Sequence, residues 1–112
     1  METRDAQRDL IEKIVIEHAR IPYKYGEIDR QTVIDRKNDH YLMMIAGREQ
    51  DGRRVHGCIV HVDLMDGKFS IQRDGTEYGV GQELLDAGVR KDEIVLAFQP
   101  KYKREMGEFA VA

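Results

Sequence analysis

Asp66-Gly67 sits between two runs of alternating apolar residues, and that arrangement limits the fold more than any other feature of the chain. Val60, Val62 and Leu64 precede it, and Phe69 and Ile71 follow it. Asp-Gly suits a two-residue type I′ turn, because both central positions need positive φ. The stretch 55–77 therefore reads as a β-hairpin. The turn also sets register: Leu64 faces Phe69, Asp63 faces Ser70, Val62 faces Ile71 and His61 faces Gln72. Successive strand residues alternate faces, so a one-residue slip would invert every side chain.

Two more turn signals, Asn38-Asp39 and Asp51-Gly52, extend the pattern upstream. They divide the chain into strands at about 28–37, 40–50, 53–65 and 68–74, joined by short turns into an antiparallel meander. A two-residue turn at Asp51-Gly52 would place Ile45 opposite Cys58, Met43 opposite Val60 and Tyr41 opposite Val62. One face then collects Tyr41, Met43, Ile45, Cys58, Val60, Val62, Leu64, Phe69 and Ile71, with His56 on the same side. This is the expected core face. The second face collects His40, Leu42, Met44, Ile59, His61, Asp63, Ser70, Gln72 and Asp74, polar at one end and apolar at the other.

Helices flank the meander. Leu10, Ile11, Ile14, Val15, His18 and Ile21 recur at helical spacing over about 4–20, and Pro22 ends the segment. Tyr23-Lys24-Tyr25-Gly26 reads as a connecting loop. A second short helix spans about 79–87, with Val80, Leu84 and Leu85 inward and Gly88 as a left-handed cap. Ile94-Val95-Leu96-Ala97-Phe98 is apolar without alternation and fits a buried strand closed by Pro100. A charged tail follows, and the apolar Phe109-Ala110-Val111-Ala112 is expected to dock on the body or on a partner. The fold class is α+β: an N-terminal helix, a four-stranded antiparallel meander, a short second helix and a further strand, all in one domain over residues 1–112.

Charge bears on partners. The chain has 18 Lys plus Arg against 21 Asp plus Glu, a formal net charge of −3. Autonomous DNA binding draws most of its affinity from cations neutralising phosphates, so that surplus of acid argues against it. A lone cysteine cannot close an internal disulfide. Neither a signal peptide nor an apolar run approaching about 20 residues is visible, and a cytoplasmic location is expected.

Several groups invite chemistry. Cys58 and His56 lie two apart on a strand, about 6–7 Å along the backbone, but a thiol buried beside Ile45 and Val60 is inert. His61 and Asp63 share the second face, with Gln72 and Ser70 across the ladder. An imidazole oriented by a carboxylate is a general-base or metal-supporting arrangement, and the register offers His40 as a third member. Solvated cross-strand pairing accounts for the same residues without a ligand, so neither a metal nor a cofactor is expected. His18 reads as a boundary residue. Arg73-Asp74-Gly75-Thr76-Glu77 would bind an anion through Arg73 and the following helix, or form a turn capped by Asp74 or Thr76 with Gly75 at positive φ. The turn is the favoured reading. Gly75, Gly79 and Gly81 lack the Lys-Ser/Thr of a phosphate loop. Residues 82–95 superficially suggest a helix-turn-helix, but Asp92 and Glu93 would lead its recognition helix and repel phosphates.

Taken together, Ile21-Pro22-Tyr23, Asp35-Arg36-Lys37-Asn38-Asp39-His40-Tyr41, Arg54-Val55-His56-Gly57-Cys58, Ile71-Gln72-Arg73-Asp74-Gly75-Thr76-Glu77, Asp92-Glu93-Ile94-Val95-Leu96-Ala97-Phe98 and Glu108-Phe109-Ala110-Val111-Ala112 resemble the XisI family. These are cyanobacterial fdxN element excision controlling factor proteins. The resemblance implies an accessory role in programmed excision of a DNA element from a nitrogen-fixation operon during heterocyst differentiation. A separate recombinase would perform the excision, with an XisH protein as companion. It supplies no catalytic residues.

The residues agree with a non-enzymatic part. They present no recombinase Ser or Tyr constellation and no nuclease carboxylate cluster with a nearby Lys. The expectation is a regulatory protein that binds an XisH-like partner, with homodimerisation through the second face also expected. An antitoxin-like inhibitor of that partner belongs to the same class. The competing reading is a small enzyme or ligand-binding protein using His40, His61, Asp63 and Gln72, with Arg73 at the sheet exit. The expected partner or ligand face is His40, His61, Asp63, Gln72, Arg73, Leu42, Met44 and Ile59.

Overall fold

A computed structural model describes residues 3–22 and 26–112. The expected connecting loop falls outside the described residues at Tyr23, Lys24 and Tyr25. Helix α1 spans Arg4–Ala19, and Thr3 caps it by accepting a hydrogen bond from the Ala6 amide at 3.1 Å. Strands β1 (Glu27–Asp35), β2 (His40–Arg48), β3 (Arg54–Met65) and β4 (Lys68–Asp74) form the expected antiparallel meander. Helix α2 (Val80–Asp86) leads back to β5 (Ile94–Leu96), which joins the edge parallel to β4. The sheet order is β1-β2-β3-β4-β5.

Helices α1 and α2 cover the core face. Ile11, Ile14 and Val15 of α1 meet Tyr41, Met43, Val60, Val62, Leu64, Phe69 and Ile71 of the sheet, joined by Val80, Leu84, Val89 and Ile94. Full burial of side chains this size stabilises by about 1.5–3 kcal/mol each before entropy is subtracted. His18 bonds Glu83 at 2.6 Å, tying the end of α1 to α2. It does sit at the core's boundary. Ile21 lies beyond the helix end and is exposed, not inward.

The Asp66-Gly67 turn matches its chemistry, with φ of 53° and 76° at the two residues. The Asp51-Gly52 turn does not. Glu49 pairs with Arg53 where a two-residue turn would pair Gln50 with it, and within the loop only Gly52 has positive φ, so the loop is one residue longer than expected. That is the pattern of a turn closed by a left-handed glycine. The added residue shifts the ladder, pairing Met44 with Cys58 and Ile45 with Gly57 in place of Ile45 with Cys58. A bulge then restores the register, and Met43 pairs with Val60 and Tyr41 with Val62 as expected.

Two bulges therefore redistribute side chains. The first has Ile59 as its unpaired residue, and Ile59 packs against the core rather than joining the second face. Cys58 and His56 pair with Met44 and Ala46, so they leave the core face for the second one. The second bulge lies on β4: Val62 pairs with Ile71, but His61 pairs with Arg73, skipping Gln72. Asp74 is drawn off the second face to cap α2, accepting from the amides of Thr76 at 3.0 Å and Val80 at 2.7 Å. A bulge re-aims side chains in this way wherever it interrupts alternation.

The C-terminal region differs in extent. The strand stops at Leu96, because Ala97 and Phe98 turn away and Phe98 is exposed. Pro100 opens a further short helix, α3 (Lys101–Met106), within the tail that reads only as charged. Residues 91–93 form a 3-10 turn into β5, which rules out a recognition helix there. The apolar end docks on the body: Ala110 donates its amide to the Ile94 carbonyl at 2.9 Å, and Phe109 packs on the core. Gly88, at φ 96°, caps α2 as expected.

Candidate functional site

Helices α1 and α2 leave the second sheet face to the solvent over β1, β2 and β3. Alternation and register place His40, Leu42 and Met44 of β2 there, with Cys58, His61 and Asp63 of β3. Val33 of β1, opposite Leu42, extends the face and is 48% exposed. Toward β4 and β5 the C-terminal residues close over it: Ser70, Gln72 and Val95 share a groove of about 250 Å³ with Arg104, Val111 and Ala112.

Asp63 is the centre of the exposed part. His40 stands directly across the ladder from it, and His61 precedes it by two residues on the same strand, hence on the same face. His40 Nδ1 lies 2.7 Å from Asp63 Oδ1, and His61 Nε2 lies 2.8 Å from that same oxygen. Each nitrogen donates its N–H to the carboxylate. The two rings meet edge to face with centroids 6.3 Å apart. The Asp63 side chain is 13% exposed, against 30% for His61 and 48% for His40. The hydrogen bond that His40 donates to Asp63 and the carboxylate's charge raise the His40 pKa, because both favour the imidazolium.

The other expected members divide. Arg73 stands opposite His61 at the exit from β4 and is exposed. Gln72 turns away from His61 and donates to Ser70 Oγ at 3.2 Å. Leu42 and Met44 remain on the face, half-buried, while Ile59 leaves it. The Cys58 Sγ donates to the Val60 carbonyl at 3.3 Å, and burial pushes the thiol up from its ordinary range, which disfavours the thiolate. The 73–77 segment is the capped turn, with Thr76 Oγ1 also donating to Asp74 Oδ1 at 2.6 Å. Positive φ falls at Gly79, not at Gly75. Gly75 lies close to the bulge instead: a Cβ there would sit 3.1 Å from Ile59 Cγ2 and 3.2 Å from the Ile59 carbonyl, so a larger residue would press on Ile59.

Sequence reasoning missed Asp39. Its carboxylate is buried, and Arg8 grips it through Nε at 2.7 Å and Nη2 at 3.2 Å. Arg4 Nη1 and the Tyr41 hydroxyl also donate to it, at 3.2 and 3.1 Å. The guanidinium of Arg8 holds the Asp39 carboxyl below its usual range, and burial pushes the Tyr41 phenol up to about 12. This cluster fixes α1 to the β1–β2 turn, one residue before His40. No signal short of the tertiary fold joins Arg8 to Asp39.

The model of the XisI protein family matches residues 1–111. The chain belongs to the XisI family. Among solved structures it is similar to a XisI-like protein from Anabaena variabilis ATCC 29413, with 29% identity and a TM-score of 0.85, covering 98% of this chain and 100% of that one. It is also similar to the fdxN element excision controlling factor XisI from the same organism, again at 29% identity, with a TM-score of 0.71 and coverage of 97% and 95%. No curated protein matches. The XisI likeness therefore extends across the whole fold, including the strands that carry His40, His61 and Asp63. Among the described residues, no helix is long and apolar enough to cross a membrane.

Proposed function

We propose that the chain is a non-enzymatic regulatory protein of the excision-controlling type, acting in the cytoplasm by binding an XisH-like protein through the second sheet face. The observation that carries this reading is the open, mixed face itself. Val33, Leu42 and Met44 form an apolar strip beside His40, His61 and Asp63, with neither helix packed over it. An apolar patch rimmed by polar groups is the common form of a protein-binding surface. The net charge of −3 favours a protein partner over unassisted DNA contact. Membership of the XisI family and the likeness to an fdxN element excision controlling factor support a regulatory role of that type, and we take heterocyst differentiation, which the sequence resemblance implies, as its setting.

Coexpression with a tagged XisH-like protein tests the reading. A stoichiometric complex that survives gel filtration is expected, and failure of the two chains to co-purify removes the partner model. Inhibition of the partner's activity within that complex would identify the antitoxin-like form of the same role. Homodimerisation through the face is the alternative occupancy, and it would appear as a dimer that dissociates when the partner is added.

A further inference from the structure

We propose that His40 Nδ1, His61 Nε2 and Asp63 Oδ1 form a binding site for a divalent transition metal of the zinc class, with a fourth coordination position open to water. The inference goes beyond the partner reading and does not rest on it.

The three atoms lie within 4.8 Å of one another. Two ring nitrogens are already directed at one carboxylate oxygen, at 2.7 and 2.8 Å. In a tetrahedral site with ligand bonds of roughly 2.0–2.2 Å, neighbouring ligand atoms stand about 3.3 Å apart. Each nitrogen–oxygen pair therefore needs to open by only about half an ångström, within reach of small χ rotations on an exposed face. The two nitrogens, within 4.8 Å of each other, must come to the same spacing, and the ladder pairing of His40 with Asp63 and the strand repeat of His61 with Asp63 already put all three side chains on one face. Binding would require each ring to present a lone pair at these nitrogens, so each N–H proton would pass through solvent to the ring's other nitrogen, or to water from an imidazolium, as the cation takes its place. Two neutral imidazoles and one carboxylate are a donor set that suits zinc, cobalt or nickel better than calcium or magnesium.

The donors are also unequally exposed. Asp63 is the most buried of the three and His40 the most exposed. The carboxylate and His61 share one strand, and His40 closes on them from the neighbouring strand. No fourth His, Cys, Asp or Glu joins the cluster among the described residues, so a metal there would take its remaining ligand from solvent.

Chelator-treated full-length protein titrated with zinc sulfate by calorimetry tests the site. One zinc per chain with a micromolar dissociation constant is expected, and binding should fall by about tenfold or more in each of His40→Ala, His61→Ala and Asp63→Ala. His56→Ala, on the same strand but outside the cluster, should bind as the parent does. Cobalt substitution should give the intense visible absorption of a tetrahedral centre, lost in the same three variants. If His61→Ala or Asp63→Ala fails to fold, the exposed His40→Ala still decides the matter, with its metal-free melting temperature as the folding control. Absence of zinc binding below about 100 μM, a Kd already several kcal/mol short of a structural zinc site, overturns the proposal. So does zinc binding that survives His40→Ala combined with His61→Ala.

Discussion

Asp39 receives hydrogen bonds from Arg8, Arg4 and Tyr41, and no other carboxylate among the described residues is both so buried and so fully partnered. A hydrogen bond to a charged group contributes about 1.5–3 kcal/mol, and the larger cost arises when its removal leaves a buried donor unpaired. Asp39→Ala would strand the Tyr41 hydroxyl and place alanine at φ 60°. The expected loss is about 2–3 kcal/mol in urea unfolding, and Asp39→Asn, which tolerates that backbone region, should lose less. Equal stability of Asp39→Ala and the parent would show that the cluster is not structural. Cys58 makes a second residue-scale prediction. The thiolate is the reactive form, and burial raises the pKa, so the thiolate fraction at neutral pH falls below that of a free cysteine. Native protein should react with iodoacetamide more slowly than urea-unfolded protein, and faster as pH rises past the ordinary thiol range. Rapid labelling of the native state at neutral pH would contradict this.

At the scale of elements, turns and bulges decided which sequence readings held. Asp66-Gly67 fixed its neighbours correctly, because a type I′ turn leaves no freedom in register. Asp51-Gly52 has the same dipeptide but closes a longer loop. Nothing in the dipeptide distinguishes the two, since the choice depends on how β2 and β3 twist together. The core face was nonetheless legible, because the bulge at Ile59 cancels the added loop residue before Met43 and Val60. The cost fell on Ile59, Cys58 and His56, which all changed sides. The parallel β5 was legible as apolar sequence, but its direction came from the α2 crossover. Glycines give a sharp contrast here. A Cβ at Gly47 would fall 2.0 Å from the Glu27 carbonyl, inside the β1–β2 pairing, at φ 155°. Gly47→Ala should cost about 4 kcal/mol or more, the exceptional end of single substitutions. Gly57 has nothing within 4 Å of the same position, so Gly57→Ala should stay within about 0.5 kcal/mol. Thermal melts of the pair check both, and similar effects would mean β1 does not pair as described.

At the scale of the molecule, one sheet separates two environments. The core face carries α1, α2 and most of the buried apolar side chains. The opposite face carries His40, His61 and Asp63 beside an apolar strip, and its exposed part is what remains after the C-terminal segment covers β4 and β5. The His40–Asp63–His61 grouping was readable from register alone, since the ladder on the hairpin side of the Ile59 bulge keeps its expected pairing. Its convergence on a single oxygen was not, because that depends on side-chain torsions. The division of faces makes the partner reading testable by position. The decisive measurement is the affinity of purified Met44→Asp and Lys13→Asp variants for an XisH-like protein, with melting temperatures confirming that both are folded. Met44 lies on the open face and Lys13 on the exposed side of α1. A loss of about tenfold or more, roughly 1.4 kcal/mol, is predicted for Met44→Asp alone. Unchanged binding by Met44→Asp, with the loss falling on Lys13→Asp, would place the partner on the helical side and contradict the account.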